Sequence, residues 1–266
     1  MPRVQTAVNR SPKLVKIFAE THSDIKFRNL DSSTFPDLVE PAVCLVQTES
    51  YSDSAILSFQ KSLSAQEQEK ALRFRFKQDR QSYTITHGIL RTILGNFLDS
   101  GPGNIEFISN EFGKPSLKHG NREIHFNISH RSGISALAFS TKSEIGVDVE
   151  KIEPEFDFEL IAKTQFSNDE NRYIQSNQIE ARKKFYTLWT RKEAFLKAVG
   201  IGISENLGIE VFRKVNQNEV EPSLSRIRDT AYYLKSFEFQ NNYIISLATS
   251  FPGEFGCSLV KIDNKD

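Results

Sequence analysis

Three acidic side chains and one lysine carry the chemistry this sequence suggests. The run GVDVE places Asp148 and Glu150 two residues apart, with Val147 and Val149 between and around them. In a strand, residues i and i+2 share a face, so the acids sit side by side while the valines pack the other way. Two carboxylates that close repel each other, and a nearby positive charge is expected to neutralise them. Further on, Trp189, Glu193 and Lys197 recur every four residues and share a helix face. Taken singly, an Asp-x-Glu strand reads as a solvated face and a Glu–Lys pair as a surface ion pair. Taken together, Asp148, Glu150 and Glu193 are candidates to converge on one hard cation. Mg²⁺ fits, because it prefers oxygen ligands and keeps open positions for water or substrate phosphates. The histidines His22, His87, His119, His125 and His130 lack zinc-ligand spacing.

A diphosphate beside such a cation needs positive charge or N–H donors around it. Residues 61–91 contain seven Lys/Arg against three Asp/Glu, with Lys70, Arg73, Lys77 and Arg80 as candidates. The competing reading is a basic, solvated helix face. Lys114 lies in the turn FGKP, and Ser129-His130 ends the strand-like run HFNIS. That Ser-His pair suits a phosphate contact, a turn cap or a catalytic pair. The last is the weakest, since no nucleophile-elbow pattern surrounds Ser129.

The elements that must position these groups are legible as periodicities. AVCLVQT at 42–48 reads as a first strand. Ser64-Ala-Gln-Glu67 is a capping box that opens a helix. A longer helix follows, with Tyr83, His87, Leu90 and Leu94 near one face. Gly101-Pro102-Gly103 stops it, and IEFIS, IHFNIS, ISALAFS and IGVDVE read as short strands. The second half repeats the plan: a capping box at Ser167-Asn-Asp-Glu170, the helix ARKKFYTLWTRKEAFLKAVG, then GIEVFRK, AYYLKSFEF and NYIISLAT. Arg80 and Tyr83 stand in the first long helix much as Arg182 and Phe185 stand in the second, a faint internal duplication. The expected fold is α+β, with an N-terminal extension over 1–40 that is partly ordered at best. An N-terminal subdomain spans 41–145, and a C-terminal one, carrying the metal site, spans 146–262. Trp189 is expected to be a core anchor.

Composition narrows the function classes. The chain has 266 residues, 34 Lys+Arg against 34 Asp+Glu, and 38% hydrophobic residues. The neutral balance gives no global field toward nucleic acid. No apolar run is long enough to span a bilayer, and no signal-peptide pattern opens the chain. Cys44 and Cys257 make neither a disulfide framework nor a zinc motif, which fits a reducing cytoplasm.

GKPSL, FNISH, GVDVE and LWTRKEAFLKAVG occur in that order. Together they resemble the Sfp-type 4′-phosphopantetheinyl transferases over roughly residues 42–250. The resemblance implies a pseudo-two-fold monomer of two similar α+β halves. It implies transfer of the phosphopantetheine arm of coenzyme A to a serine of an apo acyl, peptidyl or aryl carrier protein, releasing 3′,5′-adenosine bisphosphate. It also implies Mg²⁺ on Asp148, Glu150 and Glu193, with Lys197 beside the reacting phosphate. Glu193, directly or through water, is the implied base. Lys114, Ser129, His130 and Lys197 would contact coenzyme A, with Lys70 and Arg80 in support, and Glu170 falls where an acid near the metal is frequent. Arg131 and Ser82 depart from the pattern, which more often has serine and arginine there. No nucleic-acid or membrane partner is expected. The alternatives are a Mg²⁺-dependent nuclease or phosphohydrolase, or a non-catalytic coenzyme A or carrier-binding module.

Overall fold

The computed structural model describes residues 17–22, 27–30, 40–118, 123–202, 211, 232–252 and 255–260. The strands are β1 (Ile17–His22), β2 (Phe27–Leu30), β3 (Ala42–Gln47), β4 (Phe107–Ser109), β5 (Pro115–Leu117), β6 (His125–Arg131), β7 (Ile134–Ser140), β8 (Ile145–Lys151), β9 (Tyr232–Phe239), β10 (Tyr243–Thr249) and β11 (Gly256–Val260). The α-helices are α1 (Asp53–Ser62), α2 (Ala65–Leu72), α3 (Lys77–Phe97), α4 (Glu159–Gln165), α5 (Asn168–Gln175) and α6 (Ala181–Val199). The strand expected at GIEVFRK falls largely outside the described residues.

Two mixed sheets stack face to face, with orders β1-β9-β10-β8 and β2-β11-β3-β7-β6. Period-two alternation sorts the apolar residues of β3. Val43 and Leu45 join Val147, Val149, Ile245 and Leu247 in the layer between the sheets. Ala42, Cys44 and Val46 turn instead to α3, against Ile85, Ile89 and Ile93. A third cluster packs α6 through Phe185, Leu188 and Phe195. Strands apolar on both faces are what a sheet covered on both sides requires.

The duplication is plainest in the pairing pattern. In the first half β3 pairs antiparallel with β7, and β7 with β6. In the second, β8 pairs antiparallel with β10, and β10 with β9. Both expected capping boxes form, Ser64 with Glu67 and Ser167 with Glu170. Each boxed glutamate then reaches a buried cation on the long helix of its own half. Glu67 bonds Arg91, whose Nε lies 2.8 Å away, and Glu170 lies 2.9 Å from Lys192 Nζ.

The ends of the chain cross between the halves. From the N-terminal segment, β1 adds parallel to β9 and β2 adds parallel to β11. From the C-terminal segment, β11 adds parallel to β3, so the last strand belongs to the first half's sheet. Covering a strand edge with another strand satisfies backbone groups that would otherwise invite foreign pairing.

Candidate active site

The site forms where the halves meet, along the edge of β8. One edge of β8 pairs with β10. The other faces β6, which meets it with side chains. Asn127 Oδ1 accepts from the Val147 N–H at 2.9 Å, and Ser129 Oγ accepts from the Val149 N–H at 3.3 Å. Buried backbone donors need partners, and these two residues supply them across the junction. Asn127 carries no motif signal, which is why sequence reasoning passes over it.

The valines of β8 point into the inter-sheet core, so Asp148 and Glu150 point away from it, on the Gly146 side. A Cβ on Gly146 would stand 2.1 Å from Ala194 O and 2.3 Å from Ala198 N. Only glycine lets α6 approach this closely, and that approach brings Glu193 and Lys197 over Asp148. Lys197 Nζ lies 2.6 Å from Asp148 Oδ1, 3.1 Å from Ser129 Oγ and 3.8 Å from Glu193 Oε2. Ser129 Oγ in turn donates to Asp148 Oδ1 at 2.8 Å. Arg131 Nε lies 3.0 Å from Glu150 Oε2. The positive charge that the paired acids call for is therefore shared between Lys197 and Arg131.

Burial, and then the charge of Asp148, push both Glu150 and Glu193 up to about 7, against the opposing pull of Lys197. Asp148 is 2% exposed, and its Oδ2 is buried with no donor directed at it. An orphaned, buried carboxylate oxygen is the kind of donor a hard divalent cation takes. Among the described residues no three acidic, histidine or cysteine side chains already stand as a metal cluster. Lys197 and Arg131 hold the carboxylates as ion pairs instead.

Next to this group opens a cavity of about 680 Å³, lined by Gln78, Asp79, Ser82, His130, Arg131 and Lys151 among others. His130 faces it. Partial desolvation, helped by the charge of Lys197, holds the His130 imidazole below its usual pKa. Ser129 is buried and its hydroxyl is committed to Asp148, Lys197 and Val149, so it braces the acidic group rather than opening to the cavity.

Several expected contacts lie elsewhere. Lys114 lines a separate, smaller cavity with His125 and Glu144, and its ammonium is bound to the end of α6. Lys70 stands over the Tyr83 ring, 5.4 Å from its centroid. The Arg80 guanidinium turns back to the Phe74 carbonyl at 3.5 Å. Glu170 is 0% exposed and fully engaged: besides Lys192, it accepts from the Ser167 N–H at 3.0 Å and the Val211 N–H at 2.9 Å. It is a structural acid of α5 and does not join Asp148. Trp189 stacks against Phe185, centroids 6.1 Å apart, as a core anchor should.

Comparison with known proteins points the same way as this geometry. A family described as "4′-phosphopantetheinyl transferase superfamily" matches residues 144–248, which contain β8 and α6, and one described as "4′-phosphopantetheinyl transferase, N-terminal" matches residues 50–142. The chain is similar to the 4′-phosphopantetheinyl transferase HetI of Nostoc sp., 36% identical over 162 residues covering 60% of this chain and 68% of the relative. It is similar to the 4′-phosphopantetheinyl transferase Sfp of Bacillus subtilis, 27% identical over 197 residues, 73% of this chain and 85% of the relative. It also matches a phosphopantetheinyl transferase of Thraustochytrium sp., 27% identical over 214 residues, 75% of this chain and 74% of the relative. With its acidic strand, its Glu-Lys helix and its two matched halves, the chain belongs to the 4′-phosphopantetheinyl transferase superfamily.

Proposed function

We propose that this protein transfers the 4′-phosphopantetheine arm of coenzyme A to a serine of an apo acyl, peptidyl or aryl carrier protein, in a Mg²⁺-dependent reaction. The observation that carries this reading is the convergence of Asp148, Glu193 and Lys197, in a chain of this superfamily. The carrier serine oxygen bonds to the β-phosphorus of coenzyme A. The bond to the bridging oxygen breaks, and 3′,5′-adenosine bisphosphate leaves. Asp148, Glu150 and Glu193 would hold the Mg²⁺, which when bound polarises the diphosphate and offsets its charge.

The remaining work falls to the protein's own side chains. Phosphoryl transfer needs positioning and charge stabilisation more than covalent help. Lys197 supplies a point charge where the leaving group becomes more negative. Glu193, beside Lys197 on α6, takes the serine proton directly or through a water. His130, Arg131 and Lys151 line the cavity and offer donors to the nucleotide's phosphates. With serine at position 82, Arg131 and Lys151 are the cations that line this cavity. We take the protein to act as a monomer in the cytoplasm; the buried free thiols of Cys44 and Cys257 suit a reducing compartment.

Incubating the protein with coenzyme A, Mg²⁺ and an apo carrier tests the proposal. Mass spectrometry of the carrier should show one added phosphopantetheine. No addition on acyl, peptidyl and aryl carriers alike, with coenzyme A still bound, would instead indicate a binding module; degradation of DNA or free nucleotides would indicate a nuclease or phosphohydrolase.

A further inference from the structure

The turn between β4 and β5 belongs to the first half, yet it grips the helix that carries Glu193 and Lys197. Lys114 Nζ lies 2.8 Å from Ala198 O, 3.0 Å from Glu144 Oε2 and 3.4 Å from Ile145 O. An ammonium has three N–H donors, and three acceptors surround this one. A phosphate could be bound only by giving up one of them. From the same turn, Asn110 Nδ2 donates to Gly200 O at 2.8 Å. Its Oδ1 accepts from the Phe112 N–H at 3.0 Å and the Lys114 N–H at 2.9 Å, which shapes the turn that presents both side chains.

The grip falls on the weakest part of α6. The last carbonyls of a helix have no intrahelical donor, and cations are favoured there by the helix dipole. Gly200, in the left-handed conformation at φ 78°, ends the helix and leaves these carbonyls facing the turn. Ala198 follows Lys197 directly. Ile145 opens the strand that places Asp148 three residues later. Lys114 therefore ties the end of the helix holding Lys197 to the start of the strand holding Asp148.

We propose that Asn110 and Lys114 form a clamp that fixes Lys197 and Glu193 against Asp148. They are positioning residues for the transfer, and Lys114 is not a phosphate ligand. This rests on the function proposed above. The clamp acts on the geometry of the reacting groups, so its loss lowers kcat and leaves coenzyme A binding largely alone. Displacing a catalytic group by about 1 Å costs on the order of 10²-fold in rate.

The test compares Lys114→Met and Asn110→Ala with the wild-type protein in two ways: steady-state transfer to an apo carrier, and amide hydrogen exchange of Gly200 and Ile201. Both variants should lose about tenfold or more in kcat, with KM for coenzyme A within about twofold of wild type, and should exchange these amides faster. Asn110→Ala keeps the lysine, so it carries the test if Lys114→Met fails to fold. A Lys114→Met protein with weakened coenzyme A binding and unchanged kcat would overturn the clamp in favour of a phosphate contact. Unchanged kcat and exchange in both variants would overturn it outright. Exchange needs no turnover: a wild-type protein that never modifies a carrier would refute the functional reading, and the exchange rates would still judge the clamp.

Discussion

Lys197 Nζ and Asp148 Oδ1 lie 2.6 Å apart, although 49 residues separate them in sequence. The contact joins the last turn of α6 to the centre of β8 and neutralises an acid that is almost wholly buried. Removing one partner of a buried pair leaves an uncompensated charge, which costs more than the pair itself contributes. In the proposed transfer, Lys197 is also the cation beside the developing charge.

Lys197→Met should therefore reduce kcat by about 10²-fold or more while the protein remains folded at room temperature. Lys197→Arg, which keeps the charge but not the shape, should recover only part of that loss. Carrier modification rates and a thermal melt of each variant check this. A methionine variant with wild-type kcat would show that the lysine is structural only.

Glu170→Gln separates the structural acid from the proposed cation site. Lys192 is 0% exposed, and this substitution takes away its counter-charge. Stability should fall by about 3 kcal/mol, read from urea denaturation. The Mg²⁺ dependence of transfer by the folded fraction should not change. A raised Mg²⁺ requirement would place Glu170 in the metal's surroundings after all.

The matching acid of the first half gives a pH prediction. Burial alone would raise the Glu67 carboxyl. The hydrogen bonds from His87 and the Ser64 N–H, with the charge of Arg91, override it and hold the group at about 2. A folded-state pKa below the unfolded value means that the stabilisation is complete above the ordinary carboxyl value of 4.5 and is lost as pH falls from there toward about 2. Urea midpoints of the wild-type protein should drop across that window. Glu67→Gln should be less stable at pH 7 by about 3 kcal/mol, since Arg91 is 1% exposed, and its midpoint should fall less steeply with acid. Parallel pH slopes for the two proteins would contradict this account.

The sequence shows the parts of the site that follow from local periodicity, and it hides the partners. Period two in GVDVE correctly places Val147 and Val149 in the core and the acids opposite them. Both capping boxes and the helix face of Glu193 and Lys197 were equally readable, because each depends on residues within one turn. The duplication is clearer in strand pairing than in the Arg80 and Arg182 alignment, since topology persists where side chains diverge. Contacts such as Ser129 with Lys197, or Lys114 with Ala198, join residues 68 and 84 positions apart. Residue type gives no register for such pairs. A lysine in a turn reads as free to bind phosphate until the carbonyls that claim it are in view.

The most direct test of the central claim is the mass of an apo carrier protein incubated with coenzyme A and the wild-type protein, with Mg²⁺ or with excess EDTA, and again with Asp148→Asn. One phosphopantetheine should be added by the wild-type protein with Mg²⁺, and essentially none in the chelated reaction or with the variant. Equal modification in all three would contradict an account in which Asp148 and a divalent cation organise the transfer.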